Sequence, residues 1–582
     1  MSDTTAMPAT DPGAPVTPPT PVAAYPELTH RQILGLLSGL LTAMFVSNVA
    51  GTIVGNALPT ITGKLHSSEQ EYMWIVTSTL LASTASTPIW GKLADLFDKK
   101  RLILVGLGVF TLGSILSGSA TSTGMLIATR AVQGVGLGAI QSLVQAIMGT
   151  AIPPRARGRY MAYTGATMAV ATVIAPLIGG FIVGASWLGW RWCFWSAVPF
   201  ALLSMVVLQK QLHVTHIRVP GATVDWLGST IITAATSALL IWISFVDKQF
   251  AWLDWETFAL LGCVVVGVIA FVYVENHVAN PIIPMPIVKM RVTALAIIAS
   301  IAVGVGMFGG TVFLGQYFQL ARGESPTMSG LLMFPMMIGV LLSSMVIGRL
   351  VSRLGIWKPF TVVGAVCLTI GFLLLGTIDD STSFVVMSVY MVIAGLGVGM
   401  TMQNLVLAVQ NSISVRDVGA ATGAVTFFRS LGGAIGIQAL GFVFEDRLSR
   451  LIQEGLPGLL ASAVQQDSWA RPASADFCQT VPGLLSQASG SGALDPALLG
   501  SLAEQCPTTA GLLESMATLE ASGGSTMDVK GLAPQVAHLV QHSIGQSVGL
   551  LFTIGGIISA VSLIVILFMR STRLRTHFNL DE

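Results

Sequence analysis

The sequence predicts an all-α membrane protein with fourteen transmembrane helices, and three observations support this. Of the 582 residues, 53% are hydrophobic and only 10% are charged, whereas soluble domains contain roughly 25% charged residues. Fourteen apolar segments are long enough to cross a bilayer, for which about 20 residues are needed. A charged turn at residues 91–101 recurs in degraded form at 348–358. Matching turns in two halves of an apolar chain indicate an internal duplication.

The apolar segments group into two six-helix bundles. Segments 1–6 form the first bundle, segments 9–14 form the second, and segments 7 and 8 are a pair inserted between them. The predicted segments are 33–57, 73–91, 102–119, 124–149, 160–185, 192–209, 226–246, 257–274, 293–318, 328–348, 359–378, 383–410, 421–444 and 545–569.

The first 27 residues are rich in Pro, Thr and Ala, so they cannot bury enough apolar surface to fold. They also lack the basic start and apolar core of a signal peptide. We therefore expect a disordered cytoplasmic tail at 1–30. The other expected domains are the first bundle at 31–210, the inserted helices at 220–276, helices 9–13 at 290–445, an extracytoplasmic loop domain at 446–544, helix 14 at 545–570 and a second cytoplasmic tail at 571–582.

The distribution of Lys and Arg predicts the orientation. Basic residues concentrate in the turns after segments 2, 4, 6, 8, 10 and 12 and after the last segment. Because such residues stay on the cytoplasmic side of a membrane, both termini are expected in the cytoplasm. The predicted location is the bacterial plasma membrane, in contact with its lipids.

The turn at 91–101 resembles the loop between helices 2 and 3 of the major facilitator superfamily. Inserted segments 7 and 8, which open at Asp225, make the chain similar to the fourteen-helix drug/proton antiporter branch, a class of multidrug efflux transporters. Pro176, Gly179 and Gly180 resemble the fifth-helix motif of antiporter branches; glycines there permit tight packing, and proline bends the helix.

In the family the 2–3 loop acts as a gate, which this resemblance implies for both copies of the turn. A carboxylate at the end of segment 2 can cap a neighbouring helix or pair with an arginine across the bundle interface. The simpler alternative is that the basic turn only sets the topology. The expected gating residues are Gly91, Asp95, Lys99, Arg101, Gly348 and Arg349.

A polar face on segment 4 marks a second candidate site. Arg130, Gln133, Gln141 and Gln145 share one face about 120° wide at helical spacing. An arginine inside a bilayer costs at least about 2.5 kcal/mol, so this face should line a cavity. The alternative is that the glutamines only join helices. The resemblance implies a role for Arg130 in proton coupling.

Three further segments show polar faces that could line the same central cavity. The alternative for the last of them is packing between the bundles. The residues are Asn48, Thr52 and Asn56 in segment 1; Gln403, Asn404, Gln410 and Asn411 in segment 12; and Thr422, Thr426 and Arg429 in segment 13.

The segments lack a central acid. Relatives usually have an aspartate in helix 1 where this chain has Ala50. A proton antiporter needs a group that gains and loses protons, so Glu445 or Asp446, near a segment end, becomes a candidate beside Arg130. The alternative is that coupling differs from the usual scheme of the family. With two arginines and no central acid, the cavity is expected to prefer neutral, zwitterionic or anionic substrates.

The stretch 446–544 is long for this family. It contains Cys478 and Cys506, and an extracytoplasmic location permits a disulfide between them. Such a bridge could stabilise the protein by about 3 kcal/mol. The stretch is expected to be a folded spacer, a cap over the outer exit, or a docking site for an envelope partner.

These features predict a secondary active transporter rather than an enzyme. No phosphate-binding GxxxxGK[ST] loop or nucleophile–base arrangement occurs, no cofactor or metal is expected, and a net charge of +1 does not indicate nucleic-acid binding. We expect proton-driven, alternating-access export of amphipathic small molecules, including antibiotics. The alternatives are export of a lipid or endogenous metabolite to the envelope and, more remotely, a non-transporting receptor or scaffold.

Overall fold

The computed structural model describes residues 30–65, 69–185, 187–212, 223–247, 249–470, 504–521 and 532–575. The described residues are almost entirely helical, and the β-structure among them is one isolated bridge between Val246 and Phe250. The predicted tails, apart from His30 and residues 571–575, lie outside these ranges, as does most of 471–531.

The first bundle contains five long helices and a sixth that is broken near its start. The helices are α1 His30–Leu65, α2 Glu69–Leu96, α3 Lys99–Gly118, α4 Thr123–Ala151, α5 Pro154–Gly184, α6 Trp192–Trp195 and α7 Ala197–Gln211. Two of them have the N-cap residues that helices prefer: the Asp98 carboxylate accepts hydrogen bonds from the first backbone N–H groups of α3, and Ser122 caps α4.

The inserted pair consists of α8 Trp226–Phe245 and α9 Trp255–His277. Helix α8 packs against α2 of the first bundle and also contacts a long helix of the second bundle. The rings of Trp74 and Phe245 lie 4.6 Å apart at this contact. The pair therefore lies beside the junction of the two bundles.

The second bundle repeats the packing of the first. Its helices are α10 Met285–Lys289, α11 Arg291–Gln316 with a π-turn at Tyr317–Ala321, α12 Pro326–Leu332, α13 Phe334–Leu354, α14 Lys358–Leu375, α15 Phe384–Ser412, α16 Val418–Ala470, α17 Pro507–Ala521 and α18 Pro534–Phe568. In the first bundle α2 and α3 both pack on α4, and α1 packs on α5 and α7. In the second bundle α13 and α14 both pack on α15, and α11 packs on α16 and α18.

Thirteen stretches among the described residues are long and apolar enough to cross a membrane. The chain is thus a multi-pass helical membrane protein, but the predicted count of fourteen is not reached by this measure. The difference is α2, which forms a helix of 28 residues but is absent from the thirteen. Between its charged ends α2 contains many serine and threonine residues and also Pro88, which lower its mean hydropathy.

Helix α16 extends well beyond its apolar part. The sequence predicted that segment 13 ends at 444 and that a separate loop domain begins at 446. Instead, one helix of 53 residues runs from Val418 to Ala470. Near its far end, Asp467 accepts hydrogen bonds from the N–H groups of Thr508 and Thr509, which open α17.

Candidate functional site: the interface between the two bundles

The bundles meet at two helix crossings close to the basic turns; we call this end of the molecule the basic end. At the first crossing α2 lies against α16. A Cβ on Gly91 would lie only 2.7 Å from the carbonyl oxygen of Gly419 and 2.9 Å from the Cα of Gly423. Only glycine at position 91 permits this approach of the two backbones.

Asp95 fastens the first crossing. Its Oδ1 accepts a hydrogen bond from the N–H of Gly419 at 2.8 Å, and its Oδ2 accepts one from the N–H of Ala420 at 2.6 Å. These are free N–H groups at the start of α16, where the helix dipole also favours a negative charge. The predicted capping of a neighbouring helix by Asp95 is thus present in the structure.

Asp95 lies beyond the apolar segment 73–91 and titrates near neutrality. Burial raises its pKa to about 7, although Lys99, the two backbone N–H groups and Lys92 act in the opposite direction. Of the other predicted gating residues, Lys99 interacts electrostatically with Asp95, whereas Arg101 and Arg349 are exposed. The first crossing is therefore sensitive to a single proton.

The second crossing joins α5 to α13. The Cβ of a residue at 158 would lie 2.9 Å from the carbonyl oxygen of Gly348, so this contact is also backbone to backbone. The N–H of Arg159 donates to the hydroxyl of Ser352 at 2.8 Å. The Arg155 side chain donates to the carbonyl oxygens of Ser352 and Arg353 at 3.3 and 3.1 Å.

Arg157 lies in the basic turn after segment 4, one of the turns that predict the topology. It is 1% exposed, and its Nη1 donates to Oε1 of Gln410 on α15 at 3.4 Å. Its other nitrogens donate to the carbonyl oxygens of Ile152 and Gly149. Gln410 in turn donates to Thr422 at 3.0 Å. The position of Arg157 after a proline-led helix start gave no sign of this network.

The C-terminal segment covers the same end of the molecule. The N–H of Arg155 donates to the carbonyl oxygen of Arg575 at 3.1 Å, and the N–H of Leu574 donates to that of Gly355 at 2.9 Å. The Asn411 side chain both donates to the carbonyl oxygen of Arg573 and accepts from the N–H of Arg575. Residues 573–575 thereby link both bundles.

A small cavity of about 10 Å³, room for about one water molecule, lies between the bundles and is lined by parts of α5, α13 and α15. Gln403 is 7% exposed, yet neither polar atom of its amide has a hydrogen-bond partner within the described part of the chain. The hydroxyl of Ser344, another lining residue, is similarly unpaired. Buried polar groups normally form hydrogen bonds, so this cavity can bind a water molecule or a polar group of a ligand.

The polar face predicted on α4 divides between two environments. The guanidinium of Arg130 donates to Gln133 at 2.6 Å, and Gln133 donates to Ser114 on α3 at 2.8 Å. The same guanidinium lies 5.8 Å from the ring centre of Phe194. This part of the face therefore points into the first bundle, whereas the backbone oxygen of Gln145 accepts from Gln410 across the interface.

The remaining predicted cavity residues are scattered. Among the residues of known placement, four are buried, two are partly buried and one is exposed; the side chain of Asn56 lies outside the described residues. The buried residues are Gln145, Asn404, Thr426 and Arg429; the partly buried ones are Asn48 and Gln141; the exposed one is Thr52.

The predicted proton-coupling acids on α16 lie away from the interface. Glu445 and Asp446 are exposed, and Asp446 forms an ion pair with Arg450 on the same helix at 3.0 Å. Exposed ion pairs of this kind contribute little to the stability of a protein. Their surroundings give no support for a coupling role.

Two further predictions fall partly outside the described residues. Gly179 is buried in α5, but the side chain of Pro176 and the surroundings of Gly180 are not described. Cys506 is fully buried, whereas Cys478 lies outside the described ranges, so the Cys478–Cys506 disulfide stays a prediction. Among the described residues, no group of three or more His, Cys, Asp or Glu is placed to hold a metal ion.

Two bundles that share one repeat and meet at two tight crossings make up the fold of this chain. The family model of the Major Facilitator Superfamily matches residues 40–437, and the chain belongs to that family. The relatives named below are transporters.

Individual relatives support this assignment. The chain is 37% identical over 446 residues to the uncharacterized MFS-type transporter Rv1877 of Mycobacterium tuberculosis, a match that covers 76% of this chain and 64% of that protein. It is 34% identical over 433 residues to the multidrug transporter protein MdtP of Bacillus subtilis, covering 74% and 79%.

A solved structure shares the fold. The proton:xylose symporter XylE superposes with a TM-score of 0.56 at 12% identity, over 94% of this chain and 98% of that chain. At this identity the likeness concerns the fold alone.

Proposed function

We propose that the protein is a proton-driven exporter of amphipathic small molecules, working by alternating access, with antibiotics among its substrates. The main support is the combination of two features. The bundles meet at two tight crossings at the basic end, and the buried Gln403 amide between them has no hydrogen-bond partner among the described residues. An exporter needs a closable interface and a binding surface buried behind it. The names of relatives such as MdtP and the efflux pump LUC4 of a Fusarium species favour export.

We place the basic end in the cytoplasm of a bacterium and the protein in its plasma membrane. Arg155, Arg353 and Lys358 all lie at this end, as expected for the cytoplasmic face. In that orientation both crossings close the cytoplasmic side. The cavity must then be filled from the cytoplasm when the crossings separate and emptied outward when they close.

We assign the cavity a preference for neutral, zwitterionic or anionic substrates. Arg429 is 6% exposed and lies outside the lining of this cavity, so its positive charge acts from a distance. Ala50 stands where members of the family that the sequence resembles usually have an acid. Gln403 and Asn404 offer amides, which bind polar groups of either character. Lipophilic cations meet no central carboxylate here.

A second candidate is the export of a lipid or endogenous metabolite to a partner in the envelope. The observation in its favour is the extension of α16 to Ala470, fastened to α17 by Asp467. A rigid structure of this length outside the membrane could dock such a partner. The disulfide predicted between Cys478 and Cys506 would stabilise it.

The test is transport in proteoliposomes under an imposed pH gradient, with a cationic dye and an anionic amphiphile as probes. We expect movement of the anionic probe against its gradient, abolished when a protonophore collapses the pH difference. In cells that lack their own exporters, the same protein should raise tolerance to amphipathic toxins. Absence of transport for a broad panel, together with lipid changes in a deletion strain, would favour the second candidate.

A further inference from the structure

The inserted helix pair buries two carboxyl groups beside each other. Asp225 and Glu275 are 6% and 3% exposed. A Cβ on Gly228 would collide with Oδ2 of Asp225 and come within 3.1 Å of Oε1 of Glu275, so both oxygens border the same small space. Neither residue forms an ion pair within 4 Å among the described residues.

Glu275 is unusual for its helix. Most of α9 has large apolar side chains that face outward, and only Thr257, Phe271 and Glu275 are buried. Each Glu275 oxygen accepts a backbone hydrogen bond at 3.1 Å, from the N–H groups of Ile282 and Ile283. Both oxygens of Glu275 are therefore held by the backbone that follows α9.

Asp225 has one oxygen in use and one free. Its Oδ1 accepts from the N–H of Gly228 at 2.8 Å and caps α8. Its Oδ2 is buried without a hydrogen-bond donor among the described residues. An oxygen in this position is satisfied if it bears a proton, because an O–H group can then donate toward the neighbouring carboxylate of Glu275.

The surroundings of the pair are apolar, and a lysine lies close to them. An apolar cluster that includes Phe271, Ile282 and Phe427 connects the pair with α16. The charged groups that interact with Glu275 are Asp225 and Lys92 of α2. Lys92 is 8% exposed, and it also interacts with Asp95 of the first crossing.

We infer that Asp225 and Glu275 form one proton-binding site, which holds a single proton between the two carboxyl groups and releases it during the transport cycle. Two buried carboxylates this close cannot both be ionised cheaply. When the proton leaves, Lys92 is the cation that can compensate, and it is shared with Asp95. This inference rests on the proposed proton-driven function and supplies a pair of acids in the inserted helices, outside the two bundles.

The experiment is labelling of the purified full-length protein with a hydrophobic fluorescent carbodiimide from pH 5 to pH 9, read by peptide mass spectrometry. Such reagents modify protonated carboxyl groups in apolar surroundings. We expect an adduct on Asp225 or Glu275 that persists at neutral pH and disappears in alkali. Replacing the cation in Lys92→Met should move this loss upward by about 1 pH unit.

Matched variants separate the site from the fold. Glu275→Gln keeps a side-chain oxygen for one backbone N–H and should remove the adduct from both positions, whereas Glu256→Gln on the same helix should leave it unchanged. Size-exclusion chromatography and thermal unfolding confirm that each variant folds. Absence of an adduct on both carboxyl groups at every pH would overturn the inference.

Transport distinguishes this inference from the function on which it rests. If wild-type protein is labelled at the pair but moves neither probe under a pH gradient, the proposed function is wrong and the proton site stands. If wild-type protein moves the anionic probe and Glu275→Gln does so equally with the same pH dependence, the site is not the coupling site.

Discussion

The hydroxyl of Ser352 accepts a hydrogen bond from the N–H of Arg159 at 2.8 Å, and Ser352 holds the second crossing at the position equivalent to that of Asp95 at the first. Ser352 follows Gly348 by four residues, as Asp95 follows Gly91. Each side chain receives a backbone N–H at the start of a helix from the opposite bundle. The duplication has therefore produced two equivalent fastenings, of which only the one at Asp95 can ionise.

The first crossing should tighten in acid. Burial in the closed crossing raises the Asp95 pKa from 3.8 to about 7, so the closed state binds a proton more tightly than an open state in which water surrounds this carboxyl group. Proton binding therefore favours the closed state, and this stabilisation is lost as pH rises through about 7. Spin labels at exposed Phe97 and Arg416 should show shorter distances, by double electron–electron resonance, as pH falls through about 7.

Asp95→Asn should abolish this dependence, and Ser352→Ala should retain it. A midpoint that is unchanged in Asp95→Asn would assign the titration to another group.

Gly91→Ala should reduce export several-fold. The new Cβ would approach the Gly419 oxygen to 2.7 Å and the Gly423 Cα to 2.9 Å, and backbone atoms cannot rotate away. Dye efflux and thiol accessibility at the basic end measure the effect. Gly108→Ala on α3, which meets nothing within 4 Å, is the matched control; an equal loss in both variants would refute the steric explanation.

Gln403→Leu should separate stability from transport. Removing a buried amide that lacks partners relieves a penalty of about 1–3 kcal/mol, so the thermal unfolding temperature should rise while export of polar amphiphiles falls. Gln410→Leu should instead lower the thermal unfolding temperature, because Gln410 forms hydrogen bonds with Arg157 and Thr422. Unchanged transport in Gln403→Leu would remove the cavity from the substrate path.

Removal of residues 571–582 should open the basic end. The truncation deletes the contacts of Arg573, Leu574 and Arg575 with Asn411, Gly355 and Arg155. Amide exchange at the start of α5 should accelerate, and the first crossing, which makes none of these contacts, serves as the internal control. Equal exchange in both proteins would show that the segment fastens nothing.

Ala50→Asp should shift selectivity toward lipophilic cations. Ala50 is 2% exposed, so a carboxylate there can pair with a cationic substrate in the first bundle. Efflux of a cationic dye and an anionic amphiphile should be compared in wild type and variant. Strong cation export by wild type that the substitution leaves unchanged would contradict the proposed electrostatics.

The sequence predicted the helices and the capping of a neighbouring helix by Asp95 because both depend on local patterns, whereas the gating role of Asp95 stays a prediction. Apolar length identifies a span, and the turn at 91–101 contains its own spacing of glycine, acid and base. The failures concern partners far apart in the chain. Nothing near Arg157 indicates Gln410, and helical periodicity grouped Arg130 with Gln145 although their neighbours differ.

The boundary predicted at 446 fell inside a helix because amphipathic and polar sequence can continue a helix that apolar sequence has begun. Hydropathy detects where lipid ends, not where a helix ends. The pair of Asp225 and Glu275 escaped notice for a related reason: each acid lies at a segment end, where carboxylates are common, and only the fold brings them together.

The length of α16 has a mechanical consequence. A helix of 53 residues is about 80 Å long, and it begins at the N–H groups that Asp95 binds. Pro457 lies inside this helix, where a proline removes a backbone hydrogen bond and favours a kink, so the part before Pro457 is the part that can tilt as one body. A small rotation of that part, which separates the first crossing, becomes a larger sideways movement at its outer end. The position of that end then depends on whether the opposite face of the membrane is sealed.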